Sequence, residues 1–185
     1  GKQFLADTRC YNIALAAAVK KGGPEGLRMA IDLFESMAEP GMGRSGRPEK
    51  SLVSYNTLIG AFAKAGRSQD AFTIFYDMKE ARIMPDKFTY TTLIKACVED
   101  GDVRELMIDM RQAKIEADIV TYNTVIKSLF DRYKWYEALK LVTEMETSGV
   151  SPDSMTYSLL MNGLLKAGRP GPCLTLFESA AADER

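Results

Sequence analysis

The sequence predicts an all-α protein, a right-handed α-solenoid of about five stacked helix-turn-helix repeats of ~35 residues. Three observations predict it. A tyrosine-centred segment recurs along the chain, each copy opens an apolar stripe with helical spacing, and a second such stripe follows each first one. One helix pair of this length cannot bury both of its apolar stripes, so neighbouring pairs must stack and share a core.

The first helix of each repeat is centred on a tyrosine. Apolar residues follow this tyrosine at +3, +4 and +7 in the four clearest copies, which is the pattern of an amphipathic helix of about three turns. The tyrosines are therefore expected to pack in the core rather than to serve as stacking platforms. They lie 44, 35, 32 and 35 residues apart along the chain, at Tyr11, Tyr55, Tyr90, Tyr122 and Tyr157.

Turn residues separate the helices. A Lys-Ala-Gly-Arg turn at 64–67 and 166–169 follows the first helix, and its glycine can take the left-handed conformation that ends a helix. Tyr133 stands at the glycine position in the fourth repeat. Pro85 and Pro152 lie between repeats, where proline is expected to end the second helix.

The spacings divide the chain into one array of unequal repeats. The first repeat is nine residues longer than the period and carries a Pro- and Gly-rich loop insertion at 39–51. The third is three residues short between Gly101 and Met110 and is expected to tilt differently. Since the last copy stops before its closing Pro-Asp, we interpret the chain as an excerpt from a longer array. The repeats are approximately 8–51, 52–86, 87–118, 119–153 and 154–185.

Composition narrows the function. The chain has 24 Lys and Arg, 25 Asp and Glu, and no histidine. Balanced charge provides no general basic field, so a nucleic acid would have to meet a local surface. The lack of histidine removes His-centred proton transfer, His-dependent nucleophiles and His-bearing zinc sites, so no enzyme activity and no cofactor are expected. Cys10, Cys97 and Cys173 lack metal-ligand spacing, and no apolar run predicts a membrane partner.

The repeat resembles a known family. It reads Val-Thr-Tyr-Asn-Thr-Leu-Ile, Lys-Ala-Gly-Arg, Ala-x-x-x-Phe-x-x-Met and Pro-Asp, and in this it resembles the pentatricopeptide repeat family with repeats of the P type, nearly end to end over 52–86 and 119–153. The Trp-x-x-Leu-Gly-x-x-Tyr pattern of the rival tetratricopeptide repeat does not occur. The resemblance implies sequence-specific binding of single-stranded RNA, one base per repeat. It further implies a role in RNA processing, splicing, stability or translation in a chloroplast or mitochondrion, with the plastid preferred.

The resemblance assigns base reading to the fifth and last residues of each repeat. Asparagine at the fifth position implies a pyrimidine and threonine or serine a purine, which gives the target 5′-(C)UGU(purine)-3′. These residues are Asn12 with Ser51, Asn56 with Asp86, Thr91 with Asp118, Asn123 with Asp153, and the unpaired Ser158. The second-position residues, which the resemblance implies sandwich adjacent bases, are Val53, Phe88, Val120 and Met155, with Arg9 an unusual occupant in the first repeat.

The resemblance also implies phosphate contacts by lysines near the end of the first helix. Lys20, Lys64 and Lys166 occupy that place in the first, second and fifth repeats, whereas Glu99 and Asp131 occupy it in the third and fourth. The two acids would repel phosphate, so weak and salt-dependent affinity is expected. One turn beyond the base-reading residues, Lys95 and Lys127 are expected to compensate in part.

Two alternatives stay open. A protein-binding helical-repeat scaffold with an acidic concave face, which would take protein partners, is favoured by the sequence pI of about 5.7 and by Glu99 and Asp131. The other alternative is that the chain serves as a recruiting arm for a catalytic domain that lies outside this sequence. The cluster Glu99, Asp100 and Asp102 resembles a metal-binding triad in composition only, and we interpret it as solvated helix caps.

Overall fold

The chain is described by a computed structural model over residues 7–41, 48–96 and 103–183. Residues 42–47 of the predicted loop insertion, Cys97 and the acidic cluster of Glu99, Asp100 and Asp102 lie outside the described residues. Within the described ranges every named secondary-structure element is an α-helix. Ala38 and Glu49 form an isolated β-bridge at the base of the insertion. The helices are α1 (Thr8–Lys21), α2 (Gly23–Ser36), α3 (Leu52–Lys64), α4 (Ser68–Glu80), α5 (Lys87–Ala96), α6 (Val103–Gln112), α7 (Ile119–Asp131), α8 (Trp135–Thr147), α9 (Ser154–Lys166) and α10 (Pro170–Asp183).

The helices group into two compact units, residues 1–100 and 101–185. In the first unit, α1 packs against α2 and α3, and α3 packs against α4 and α5. In the second unit, α7 packs against α8 and α9, and α9 packs against α10. First helices are therefore direct neighbours within each compact unit, which is the stacking that an α-solenoid requires.

An aromatic contact joins successive repeats in the first compact unit. The ring of Phe34 on α2 meets Tyr55 on α3 edge-on, with centroids 5.0 Å apart, and Phe75 on α4 meets Tyr90 on α5 in the same way at 5.7 Å. Such edge-to-face pairs stabilise beyond the burial of their apolar area. The predicted core position is confirmed for Tyr55, Tyr90 and Tyr122, which are buried, while Tyr11 and Tyr157 are half-buried.

The second helices α4, α6 and α8 end on a left-handed residue, whereas α2 ends on the extended Met37, and the prediction that proline ends the second helices is wrong. The helix α4 stops at Glu80, five residues before Pro85, and Arg82 there has a φ of 57°. The next N–H, from Ile83, donates to the carbonyl of Met78 at 3.0 Å, which closes a Schellman-type turn. The same geometry ends α6, in the repeat that has Ala117 in place of proline, so the proline is not what stops the helix.

The turns after the first helices use the left-handed conformation as predicted. Gly66 and Gly168 have φ values of 69° and 67°, a region that costs glycine little. Tyr133 takes a φ of 60° at the equivalent place, and its side chain is 82% exposed. A non-glycine residue is strained in this region, and here the exposed side chain offers little packing in return.

Replacing Tyr133 by glycine should therefore stabilise the second compact unit. We expect the free energy of unfolding to rise by about 1 kcal/mol, because the relief of strain exceeds the added entropy of the unfolded chain. Urea unfolding followed by circular dichroism measures the change. Lys134→Gly is the matched control, since Lys134 has a φ of −90° and should gain nothing. An equal gain at both positions would contradict the assignment of strain to Tyr133.

Candidate nucleic-acid interface

The last residue of each repeat caps the first helix of the next. Asp118 and Asp153 accept the backbone N–H of the residue three positions later, at 2.9 and 2.8 Å. Asp86 and Ser51 make the same contact at 2.9 and 3.4 Å. Each of these predicted base-reading residues thus has a structural role, because it satisfies an N–H that the helix leaves unpaired.

The fifth-position asparagine of the second repeat lies against this cap. The Nδ2 of Asn56 donates to Oδ1 of Asp86 at 3.1 Å. The hydroxyl of Thr89, three residues into the next repeat, donates to Oδ1 of Asn56 at 2.6 Å. We call this set of Asn56, Asp86 and Thr89, together with its counterparts in other repeats, an asparagine cluster.

Counterparts occur in both compact units. In the second unit, the Thr156 hydroxyl donates to Oδ1 of Asn123 at 2.8 Å and also lies 2.8 Å from Oδ1 of Asp153. In the first repeat, the Ser54 hydroxyl donates to Oδ1 of Asn12 at 2.7 Å, and Nδ2 of Asn12 donates to Ser51 at 3.3 Å. The structure thus brings three of the predicted base-reading pairs together, at Asn12, Asn56 and Asn123.

Hydrogen bonding keeps the carboxylates of two clusters ionised. Burial acts to raise the pKa of Asp86, but the N–H and hydroxyl of Thr89 and the amide of Asn56 outweigh it, so the pKa is lowered. The backbone N–H of Thr156, followed by its hydroxyl, lowers the pKa of Asp153. An ionised carboxylate only accepts hydrogen bonds, so it selects the nitrogen side of the neighbouring asparagine amide.

Threonine and serine at the fifth position are arranged differently. The hydroxyl of Thr91 donates to the carbonyl of Lys87 at 2.8 Å, and that of Ser158 donates to Ser154 at 2.7 Å, each within its own helix. Thr91 belongs to the first compact unit and Asp118 to the second, so their pairing stays a prediction. Ser158 is exposed near the start of α9.

The second-position residues are exposed apolar side chains. Each lies in the first turn of a first helix, three residues before the fifth position, so the two positions share a helix face. Large apolar groups that repeat on a surface indicate a ligand or partner rather than a core. The exposed fractions are 56% for Val53, 60% for Phe88, 55% for Val120 and 60% for Met155.

The predicted phosphate-binding lysines are all exposed. Lys20, Lys64 and Lys166 lie in the last turns of α1, α3 and α9. Lys95 lies in the last turn of α5, and Lys127 lies one turn beyond Asn123 on α7. Asp131 is the exposed last residue of α7, so the acid expected in the fourth repeat is present on the surface.

A buried hydroxyl three residues after each closing residue, which completes the clusters at Asn12, Asn56 and Asn123, was not predicted from the sequence. Ser54, Thr89, Thr121 and Thr156 are fully buried polar residues. A buried hydroxyl is costly unless it is hydrogen-bonded, so its recurrence calls for partners. The available signal was the serine or threonine directly before each core tyrosine, three residues after the closing residue, which is capping-box spacing.

Stacked helix pairs, with asparagine clusters near the start of the first helices α1, α3 and α7, define a helical-repeat protein with a repeating polar surface. Comparison with known proteins gives the family. The PPR repeat family matches residues 50–99 and 117–166, and a further PPR repeat matches 155–180. The chain therefore belongs to the pentatricopeptide repeat family, as its sequence predicted.

Similar proteins include chloroplastic and mitochondrial members of the family. The chain is 35% identical over 105 residues to the pentatricopeptide repeat-containing protein At2g18940, chloroplastic, of Arabidopsis thaliana, covering 56% of this chain and 12% of that protein. It is 27% identical over 172 residues to At3g09650, chloroplastic, of the same plant, covering 91% of this chain and 21% of that protein. The matched segments thus span only 12% and 21% of the length of these relatives. Names of this kind, with At1g06140, mitochondrial, support an organellar localisation.

Solved structures confirm the predicted solenoid fold. The crystal structure of PPR10 from maize matches with a TM-score of 0.79 at 23% identity, over 95% of this chain and 24% of that one. PPR10 in complex with an 18-nt psaJ RNA element matches with a TM-score of 0.74 at 22% identity, over 93% of this chain and 24% of that one. The PPR domain of Arabidopsis thaliana protein-only RNase P 1 in complex with tRNA matches with a TM-score of 0.74 at 16% identity, over 97% of this chain and 92% of that one.

No described helix is both long and apolar enough to cross a membrane. Among the residues in the described ranges, no group of His, Cys, Asp and Glu side chains is placed to hold a metal ion.

Proposed function

We propose that this chain binds single-stranded RNA in a sequence-specific manner, one base per repeat, and acts by occupying an organellar transcript rather than by its own catalysis. The asparagine cluster is the observation that carries the proposal. It recurs at Asn12, Asn56 and Asn123 in the same arrangement, an asparagine with a closing Asp or Ser and a buried Thr or Ser, near the start of the first helices α1, α3 and α7. Helix capping requires the closing residue alone and does not require an asparagine from the preceding repeat.

The chemistry of the cluster suits a pyrimidine edge. The amide of Asn56 uses one N–H toward Asp86 and one oxygen lone pair toward Thr89. One N–H and one lone pair remain for a base, and the Watson-Crick edge of uracil presents a carbonyl oxygen beside an N–H. The proposed target is 5′-(C)UGU(purine)-3′, with the second-repeat base between Val53 and Phe88.

Exposed apolar groups and lysines supply the rest of the interface. A base sandwiched by Val53 and Phe88 would gain about 1–3 kcal/mol from stacking on the aromatic ring. Phosphates would meet the lysines at the ends of α1, α3 and α9. Because Asp131 replaces lysine on α7, affinity is proposed to be modest and to fall with salt.

A binding titration tests the proposal. Labelled RNA containing 5′-CUGUA-3′ in an unpaired strand is compared with a scrambled strand of the same composition by fluorescence anisotropy, at low and at physiological salt. We expect at least about tenfold tighter binding of the designed strand, since one mismatched base costs about 1–3 kcal/mol. Equal affinity for both strands, or no binding at low salt, would contradict the proposal and favour a protein-binding scaffold.

Replacing Lys64 by alanine should weaken binding to every RNA alike. Lys64 is exposed in the last turn of α3 and is proposed to contact phosphate, which carries no sequence information. We expect a several-fold higher Kd for designed and scrambled strands, and a salt slope reduced by about 0.7. The control is Lys140→Ala on the second helix α8, which should leave both values unchanged. A loss confined to one sequence would show that Lys64 reads a base.

A further inference from the structure

The asparagine cluster contains a side chain beyond the two that the repeat assigns to base reading. A buried hydroxyl from the first helix of the next repeat contacts the fifth-position asparagine in each described case. The hydroxyls of Ser54, Thr89 and Thr156 lie 2.7, 2.6 and 2.8 Å from the asparagine oxygens. All three side chains are fully buried, although serine and threonine are usually exposed.

The single hydroxyl proton of Thr89 has two acceptors within reach. Oδ1 of Asn56 lies at 2.6 Å and Oδ1 of Asp86 at 2.8 Å. Oδ1 of Asp86 already accepts the backbone N–H of Thr89 and the amide of Asn56. The asparagine oxygen is therefore the acceptor that gains most from the proton. Meanwhile the backbone N–H of Asp86 donates to the Thr89 hydroxyl at 3.1 Å, which fixes the hydroxyl oxygen in place.

We propose that this buried hydroxyl is a positioning residue for base recognition, because it sets the orientation of the reading asparagine in the preceding repeat. This inference rests on the proposed function. The carboxylate of Asp86 holds the amide nitrogen and the hydroxyl of Thr89 holds the amide oxygen, so the amide cannot exchange its two ends or swing about its last torsion. Specificity then depends on three side chains from two repeats.

In the first repeat, the orientation of the asparagine amide depends most on the buried hydroxyl, here that of Ser54. Ser51 closes this repeat in place of aspartate, and a serine hydroxyl can either donate or accept. The hydroxyls of Ser51 and Ser54 lie 3.1 Å apart, and Ser54 donates to Oδ1 of Asn12. Here no carboxylate selects the nitrogen end of the amide, so the donation from Ser54 determines which end faces the base.

The test uses Thr89→Val, which keeps the shape of the side chain and removes the hydroxyl. Binding is measured to RNAs that differ only at the second-repeat base or only at the fourth-repeat base. We expect the preference for U over the other bases to fall roughly three- to tenfold at the second repeat and to stay unchanged at the fourth, where Asn123 and Thr156 are intact. Thr89→Ser, which retains a hydroxyl, should keep most of the preference.

Two controls separate positioning from stability. Thr57→Val removes a hydroxyl that donates to the carbonyl of Val53 in its own helix at 2.7 Å and should alter neither preference. Thr156→Val should produce the reciprocal pattern, with loss at the fourth repeat alone, and it replaces Thr89→Val if that variant does not fold. Equal loss at both bases would assign the hydroxyl to stability only and would overturn the inference.

A measurement without RNA separates this inference from the proposed function. The side-chain amide of Asn56 is followed by NMR relaxation in the free protein, and Thr89→Val should lower its order parameter while that of Asn123 stays unchanged. An unchanged order parameter at Asn56, or an unchanged U preference in a variant of a wild type that does discriminate, would overturn the inference alone. A wild type that shows no base preference would overturn both.

Discussion

Replacing Thr91 by asparagine should move the base preference of the third repeat from purine to pyrimidine. Thr91 presents a single hydroxyl, which donates to the backbone of its own helix. Asparagine would present the donor and acceptor pair that Asn56 and Asn123 carry. At the start of α7, the hydroxyl of Thr121 lies 2.9 Å from Oδ1 of Asp118, much as that of Thr89 lies 2.8 Å from Oδ1 of Asp86 at the start of α5. The carboxylate and the hydroxyl that bind an asparagine amide in the other clusters are thus present in Asp118 and Thr121, which follow Thr91 in the sequence.

Binding to four RNAs that differ only at the third base measures this exchange. We expect the preferred base to change from G to a pyrimidine, with a combined shift of about tenfold or more, since good base contacts discriminate by about 1–3 kcal/mol. The adjacent replacement Thr92→Asn serves as control and should leave the preference unchanged, because it lies on a different face of α5. An unaltered preference in Thr91→Asn would show that the assignment of bases to repeats is wrong.

The largest loss of stability is expected for Phe75→Ala. Phe75 is 2% exposed and joins α4 to Tyr90 of the next repeat. Removing a buried aromatic ring leaves a cavity and lowers the free energy of unfolding by about 3–5 kcal/mol. In a repeat array stability depends on contacts between neighbours, so the loss should also reduce the cooperativity of unfolding.

Urea unfolding of the variant and of Tyr76→Ala measures this contribution. Tyr76 is the next residue, belongs to the same helix and is 56% exposed, so its loss should cost less than about 1 kcal/mol. Comparable losses of unfolding free energy in both variants would show that the Phe75–Tyr90 contact does not stabilise the interface between the second and third repeats.

The helix pairs could be predicted from the sequence because several local signals agree. The closing Asp or Ser, the apolar stripe and the period of 35 all point to a first helix that begins at Leu52 and again at Ser154. The ends of the second helices could not be predicted in the same way. Arg82 and Lys114 adopt positive φ, for which neither residue gives a signal, because the backbone hydrogen bonds from Ile83 to Met78 and from Ile115 to Met110 override local preference.

The candidate site, like the fold, could be predicted only in part from the sequence. The fifth and closing positions were predicted from the resemblance to the family. Their clustering at Asn12, Asn56 and Asn123 followed from the predicted register of the first helices. The third member of the cluster, such as Thr89, was missed because its role depends on contact with Asn56, 33 residues earlier. A threonine at capping-box spacing is explained by the cap alone, and only the three-dimensional contact reveals its second partner.

Crosslinking of RNA to the protein tests most directly the claim that successive bases lie on successive first helices. Two RNAs carrying 5′-CUGUA-3′ have 4-thiouridine at the first or at the second U, and crosslinked peptides are identified by mass spectrometry. We expect crosslinks from the first U to the segment around Val53–Asn56 or Phe88, and from the second U to the segment around Val120–Asn123 or Met155. Crosslinks of both uridines to one segment, or to the second helices α4 and α8, would contradict this claim.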